Sequence, residues 1–332
     1  MYYKDGNYKG DGTFNVLVTG AAGFIGHQLV KHLRIFPNHY VIAFDNLSTG
    51  DIDNITYADP NVFYKGDLRN RAEVEEVFQK YNINLVFHLA ALPKVQYSVA
   101  MPVLTNEANI VGTLNLLDVA RNYKDQIERF VFSSSSSIYG NQKELPLIET
   151  MSPNPLSPYA LQKLTGDIYT QQFFKLYGLK TVALRYFNVY GPRQNMLSDY
   201  AAAIPKFIAK ILNNEKPLVY GDGLQTRDFT YVDDVISANL CAAYTQNEKV
   251  FGEAFNIGGG YNFSVNDIIK MINDELKTDI QPTHVDPVVE SKHTLANINK
   301  MKDMTGWTPS VSFKDGLGKT IQYYKELLNR II

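Results

Sequence analysis

Phe14-Asn15-Val16-Leu17-Val18-Thr19-Gly20-Ala21-Ala22-Gly23-Phe24-Ile25-Gly26 is the stretch on which the reading of this chain turns. Phe14–Thr19 is an apolar, β-branched run, and from Gly23 to Leu33 apolar residues recur at helical spacing. Where a strand enters a helix through glycines, the chain turns tightly and free backbone N–H groups at the helix N-terminus can meet a diphosphate. The spacing is GxxGxxG rather than GxGxxG, and glycine-rich turns follow many strands, so the motif needs its context.

That context extends outward. Val41–Asp45 reads as a second strand ending on Asp45, a carboxylate placed to accept both adenosine ribose hydroxyls and to repel a 2′-phosphate. This favours NAD over NADP. Val62–Lys65 is a third strand, closed by Gly66-Asp67-Leu68; Asp67 and Leu68 either hold the adenine edge or form an ordinary turn. Ala72–Lys80 has helical period, as does Asn109–Arg121, while Leu85–Ala90 and Phe130–Ser134 read as strands buried on both faces. The alternation predicts an α/β fold, a Rossmann-like doubly wound parallel sheet. After Leu184–Asn188 the pattern loosens at Pro192, Pro205, Pro217, Gly221 and Gly223. We therefore expect a NAD-binding domain over 1–188, with 229–257 returning to it, and a smaller C-terminal α/β lobe from 189–228 and 258–332.

The 332 residues carry 32 lysines and arginines against 34 aspartates and glutamates, so there is no general field to attract nucleic acid or an anionic membrane. The lone cysteine, Cys241, cannot form an internal disulfide and sits in an apolar helical neighbourhood, as a buried structural thiol does. The histidines make no cluster at zinc spacing, so no metal is expected. The opening MYYKDGNYKGDG lacks a secretion signal's apolar core, and no apolar run approaches a bilayer span. A cytoplasmic enzyme is the expectation.

Tyr159 and Lys163 form YxxxK at the start of a helix, on one helical face. Free tyrosine, with a pKa of about 10, is a poor base at neutral pH. A nearby ammonium and a bound, positively charged nicotinamide would favour the phenolate, which could then take a proton from a sugar hydroxyl. YxxxK is common by chance among 22 tyrosines, but Ser133–Ser137 ends a predicted parallel strand, where ligand-binding groups collect. A hydroxyl there can hydrogen-bond the substrate oxygen and relay its proton to Tyr159.

GxxGxxG, Asp45, His88-Leu89-Ala90-Ala91, Ser133–Ser135 before Tyr139-Gly140, YxxxK and Arg185-Tyr186-Phe187-Asn188 occur in one order. In that order they resemble the extended short-chain dehydrogenase/reductases, an NAD-dependent epimerase/dehydratase family, and specifically its UDP-hexose 4-epimerases, over roughly residues 14–330. The resemblance implies Ser135 and Tyr159 as the proton-transfer pair, with Lys163 tuning Tyr159 and binding the nicotinamide ribose; Ser134 and Ser136 stay open as alternatives to Ser135. It implies cofactor contacts from Gly20, Gly23, Phe24, Ile25 and Gly26, from Asp45, Asn46, Asp67 and Leu68, and from Ala90, Asn109, Tyr159, Lys163 and Tyr186. For a UDP-sugar substrate it implies Lys94, Ser135, Ser136, Tyr159, Asn188, Arg227 and Thr294, making the smaller lobe substrate-binding. Arg227 would grip the diphosphate; by itself it reads equally as a surface ion pair with Asp228.

Three readings of the reaction compete: 4-epimerisation, 4,6-dehydration or decarboxylation, and nucleotide sensing by a dead site. Related dehydratases carry an Asp-Glu pair where this chain has Ser136 and Ser137, so elimination lacks its proton-transfer partners. An intact Ser135, Tyr159 and Lys163 argues against a dead site. Residues 192–207 resemble the branch acting on N-acetylated UDP-hexoses. At the position beside the sugar's 2-substituent stands Thr294, where tyrosine would crowd an acetamido group. UDP-GlcNAc and UDP-GalNAc are therefore expected, besides UDP-Glc and UDP-Gal. Relatives' Arg-x-Gly-Asp stretch is replaced by Pro287-Val288-Val289-Glu290, with Lys292 a candidate substitute. Lys94 is either a solvated loop charge or a partner for a sugar carboxylate, which keeps UDP-hexuronic acids open. Resemblance also implies a homodimer through a four-helix bundle built from 109–121 and 159–177.

Overall fold

The computed structural model describes residues 14–196, 202–287 and 291–331. Its first two-thirds alternates strands β1 (Phe14–Thr19), β2 (His39–Asp45), β3 (Val62–Lys65), β4 (Leu85–His88), β5 (Arg129–Ser135) and β6 (Thr181–Tyr186) with helices. These helices are α1 (Phe24–Leu33), α2 (Ile52–Ala58), α3 (Arg71–Tyr81), α4 (Val95–Ala100), α5 (Pro102–Asn106), α6 (Gly112–Arg121) and α7 (Pro158–Tyr177). Then follow β7 (Val189–Tyr190), α8 (Ala203–Leu212), β8 (Leu218–Tyr220), β9 (Thr226–Arg227), β10 (Thr230–Tyr231) and α9 (Val232–Tyr244). The chain closes with β11 (Glu253–Ile257), β12 (Phe263–Ser264), α10 (Val265–Leu276), β13 (Thr283–Val285), α11 (Asn299–Thr305) and α12 (Phe313–Ile331).

Seven strands make one parallel sheet of order β11-β6-β5-β4-β1-β2-β3, as the alternation predicts. Strand period decides its two cores. Val16 and Val18 join Leu29, Val30, Val232 and Val235 on one face, while Leu17 joins Val74, Val77, Leu116 and Leu117 on the other. Covered on both sides, the strands need no polar alternation, which is why they read as continuous apolar runs. Order reverses between β1 and β4, so their carboxyl ends diverge and leave a crevice there.

The remaining elements form three two-stranded ribbons, β7–β10, β9–β12 and β8–β13. Helix α10 starts on a capping box between Ser264 and Asp267 and buries Ile268, Ile269 and Ile272. Helix α12 buries Phe313, Leu317, Ile321 and Tyr324 in the same apolar cluster as α1 and α9. Among the described residues no helix is long and apolar enough to cross a membrane.

The helix expected over 109–121 differs in its first turn. Glu107–Val111 is a π-helical turn, with Gly112 N–H donating to Glu107 C=O, and regular α-helix begins at Gly112. The wider turn carries Asn109 inward to 3% exposure. The strand expected to reach Ala90 stops at His88.

Candidate functional site

Glycine is required at the mouth of the crevice. Gly20 has φ +70°, and a Cβ there would lie 2.6 Å from Ala90 N; at Gly26 it would lie 2.0 Å from Gly20 O. These close approaches let the loop hug the end of β4 and bring α1 against β1. Gly23 caps α1 and leaves Phe24 and Ile25 in its first turn, whose N–H groups have no intrahelical partner. Behind them Thr19 Oγ1 and His88 Nδ1 are 2.8 Å apart, and His88 Nε2 lies 2.8 Å from Thr113 Oγ1. Thr113 donates to Asn109 C=O, so it accepts from His88, which fixes the neutral tautomer with Nδ1 accepting from Thr19. Burial drives the imidazole pKa down to about 3, with the charge of Lys163 adding to the effect.

Asp45 closes β2 beside this loop. Its Oδ2 accepts from Ala22 N–H at 2.9 Å and Oδ1 from Leu47 N–H at 2.8 Å, while burial raises its pKa. Each oxygen retains accepting capacity. Asp67 is otherwise engaged: Arg69 clamps its carboxylate at 2.6 Å and Asn46 Nδ2 donates to it at 2.9 Å. That pairing pulls its pKa down to about 2 and keeps the carboxylate charged. Leu68 is buried beneath Gly112. Asn109 spends its amide on Leu92 N–H (2.7 Å), Leu92 C=O (3.1 Å) and Gln162 Oε1 (2.8 Å), holding the segment after Ala90. Tyr186 turns its hydroxyl onto Asn239 Oδ1 at 2.9 Å.

Ser135, Tyr159 and Lys163 come from β5 and α7. Helix α7 begins at Pro158 with Ser157 Oγ capping Ala160 N–H. Gly166 brings it down on the sheet, since a Cβ there would sit 2.5 Å from the Phe132 ring. Lys163, 4% exposed, donates from Nζ to Ser133 C=O at 2.7 Å, and burial lowers its pKa to about 7. The Ser135 side chain neighbours the Tyr159 hydroxyl and favours its ionised form. Strand alternation sends Ser134 to the opposite face, where it donates to Asp167 at 2.7 Å beside the Asp167–Arg185 ion pair. Ser134 is thereby committed to that ion pair rather than to Tyr159. In the chain alone, without the positive nicotinamide, Lys163 does not depress Tyr159. Burial pushes the phenol up to about 12, with only the neighbouring Ser135 side chain acting against it.

Asn188 is exposed and donates to Asp228 C=O at 3.2 Å. Arg227 Nη1 donates to Thr226 C=O and Lys292 C=O, both at 3.0 Å. Its surface ion pair with Asp228 is not found. That carboxylate, 0% exposed, instead accepts from Gly259 N–H at 2.8 Å and Ala296 N–H at 2.9 Å, and burial raises its pKa to about 6. Thr294 is 5% exposed, its hydroxyl accepting from Asp228 N–H at 3.3 Å. Ser136 and Lys94 are half-buried, Lys94 capping α4. Residues 288–290, where the Arg-x-Gly-Asp stretch is replaced, and 197–201 lie outside the described residues.

The profile of the NAD dependent epimerase/dehydratase family matches residues 16–258. The chain belongs to this family. It is 38% identical over 312 residues to a putative UDP-glucose 4-epimerase of Methanocaldococcus jannaschii, spanning 93% of this chain and 98% of that protein. Among solved structures, the UDP-N-acetylglucosamine 4-epimerase of Methanobrevibacter ruminantium M1, in complex with UDP-N-acetylmuramic acid, superposes with TM-score 0.88 at 38% identity, covering 95% and 99% of the two chains. The UDP-glucuronic acid 4-epimerase of Bacillus cereus, bound to UDP-glucuronic acid and NAD, gives TM-score 0.88 at 34% identity over 95% and 100%.

Like its family, the chain is NAD-dependent. Sequence reasoning missed Asp167 and Gln162. Asp167 was legible, lying four residues beyond Lys163 on the same helical face; the contact of Gln162 with Asn109 depends on the π turn.

Proposed function

We propose that this chain is an isomerase that 4-epimerises a UDP-hexose with NAD. The observation that carries the reading is the convergence of Ser135, Tyr159 and Lys163 at the carboxyl end of β5, one strand from the glycine-lined crevice. The close approaches at Gly20 and Gly26 and the accepting capacity of Asp45 fit NAD, with Phe24, Ile25, Asn46, Leu68, Ala90 and Tyr186 around them. When bound, NAD⁺ would supply the acceptor for the C4 hydride and the reductant for the opposite face of the sugar. Tyr159 takes the C4 hydroxyl proton and later gives it back, Ser135 holds the Tyr159 oxygen, and Lys163 anchors the end of β5 through Ser133 C=O. Segments 189–228 and 258–332 act as the substrate lobe, with Arg227 and Asn188 on the diphosphate and Ser136 near the sugar.

The preferred substrate pair is UDP-GlcNAc/UDP-GalNAc, with UDP-Glc/UDP-Gal also accepted. In support, Thr294 is a small side chain whose hydroxyl accepts from the backbone of Asp228, and the M. ruminantium relative is a UDP-N-acetylglucosamine 4-epimerase. UDP-hexuronic acid is the second reading, favoured by Lys94 and the B. cereus relative. Incubating the protein with acetamido, plain and uronic UDP-hexoses and separating the products tests both. Epimers without net NADH, formed fastest from the acetamido pair, are expected; dehydrated products, or no epimer from any sugar, would overturn the assignment.

The same reading makes the protein a cytoplasmic homodimer. Leu161, Ile168 and Leu176 stand 53%, 49% and 67% exposed on α7, beside Val103 and Val111 at 72% and 42%. Such an apolar face suits a four-helix bundle with a second copy.

A further inference from the structure

Arg193 follows β7, where the chain has left the large sheet, and its backbone takes φ +67°, a left-handed conformation that suits glycine better than arginine. Its half-buried side chain reaches back to α2, where Nε and Nη2 both donate to Asn54 Oδ1, at 3.2 and 2.8 Å. A guanidinium only donates, so the Asn54 oxygen must face it and Nδ2 must face an acceptor. That acceptor is Ala22 C=O, at 2.9 Å. Ala22 lies in the glycine-rich loop, and its own N–H donates to Asp45 Oδ2. One line of hydrogen bonds therefore runs from Asp45 through Ala22 and Asn54 to Arg193. The guanidinium is steadied by the Tyr57 ring, 4.2 Å away.

We propose that Arg193 is a positioning residue for NAD: through Asn54 it holds the Ala22 carbonyl, and with it the backbone of the loop that meets the cofactor's diphosphate. Backbone groups in a loop lack the partners that a helix or strand supplies, so side chains must fix them. Here the positive charge polarises the Asn54 amide, and its Nδ2–H becomes a stronger donor to Ala22 C=O than an unassisted amide. The left-handed backbone at Arg193 persists because these contacts over-determine it. Pro192 C=O is tied separately to α1, accepting from Gln28 Nε2 at 3.0 Å, so the docking of this segment and the grip on the loop can be told apart. The inference concerns cofactor affinity alone and holds whichever sugar is turned over.

The test is the Kd for NAD⁺, measured by calorimetric titration of the whole protein freed of nucleotide. Arg193→Gly removes the guanidinium and relaxes the left-handed backbone, so the fold is spared. It should raise the Kd about fivefold, the worth of one net hydrogen bond. Asn54→Ala, which also cuts the bond to Ala22, should raise it about tenfold. The double variant should match Asn54→Ala alone, because Arg193 acts on the loop through Asn54. Gln28→Ala loosens the same segment without touching that line and should stay within about twofold, inside one hydrogen bond. Wild-type affinity in Arg193→Gly, single effects that multiply in the double variant, or a Gln28→Ala loss as large as that of Arg193→Gly would each overturn the proposal. Failure of the epimerase reading would show separately, as NAD⁺ binding by wild type with no epimer from any UDP-sugar.

Discussion

Replacing His88 by glutamine should change how stability depends on pH more than it changes the fold. His88 is wholly buried between the Thr19 and Thr113 hydroxyls, and its folded pKa is depressed to about 3. An unfolded histidine titrates near 6.5. For a base whose folded pKa lies below its unfolded one, the unfolded chain binds the extra proton as pH falls. The contribution of His88 is therefore fully present above pH about 6.5 and drains away toward pH about 3. Between pH 7.5 and 5.0 the loss integrates to about 2 kcal/mol. Glutamine keeps a donor near the Nε2 position but does not titrate. His27, lowered to about 4, and Asp228, raised to about 6, are present in both proteins and cancel in the difference. Urea unfolding at fixed protein concentration from pH 7.5 to 5.0 should show wild type losing about 2 kcal/mol more than His88→Gln over that interval, whatever their offset at pH 7.5. Parallel curves would refute the neutral, doubly bonded imidazole.

Gly26→Ala should lower the thermal midpoint and release NAD, because the new Cβ meets backbone at 2.0 Å; the overpacking cost is about 1–3 kcal/mol. Unchanged melting and cofactor retention would contradict that close approach. Thr294→Tyr should abolish turnover of the acetamido pair while sparing UDP-Glc, read by product separation; equal loss on both sugars argues against a role in selectivity. The double variant Leu161→Asp, Ile168→Asp should elute as a monomer at a concentration where wild type is dimeric by light scattering. If both elute at the same mass, this face is not the interface.

The Rossmann-like sheet was legible because its strands bury both faces and its glycines sit at a strand–helix junction. Val62–Lys65 falls on its predicted bounds and Phe14–Thr19 likewise. Tyr159 and Lys163 were legible through helical spacing. What the sequence hides is where polar groups are spent. Asp67 and Asp45 look alike as acidic residues after strands, yet Arg69 clamps the first, while each oxygen of the second accepts one backbone N–H. Asn109 seemed a cofactor neighbour, and the π turn delivers it to Leu92 and Gln162. The lowering of Tyr159 expected from Lys163 with bound nicotinamide is likewise not a property of the chain by itself. YxxxK gives proximity along a helix, but the ammonium is bonded to Ser133 C=O, and burial of the phenol outweighs the influence of the Ser135 side chain.

Asp45 also constrains redesign. The carboxylate that would discriminate against phosphorylated ribose is simultaneously the tether joining Ala22 to Leu47. Exchanging it for a neutral or basic side chain to admit the phosphorylated dinucleotide would cut both ties together. Switching coenzyme preference in this scaffold thus calls for paired changes: one for charge, another to re-stitch the loop.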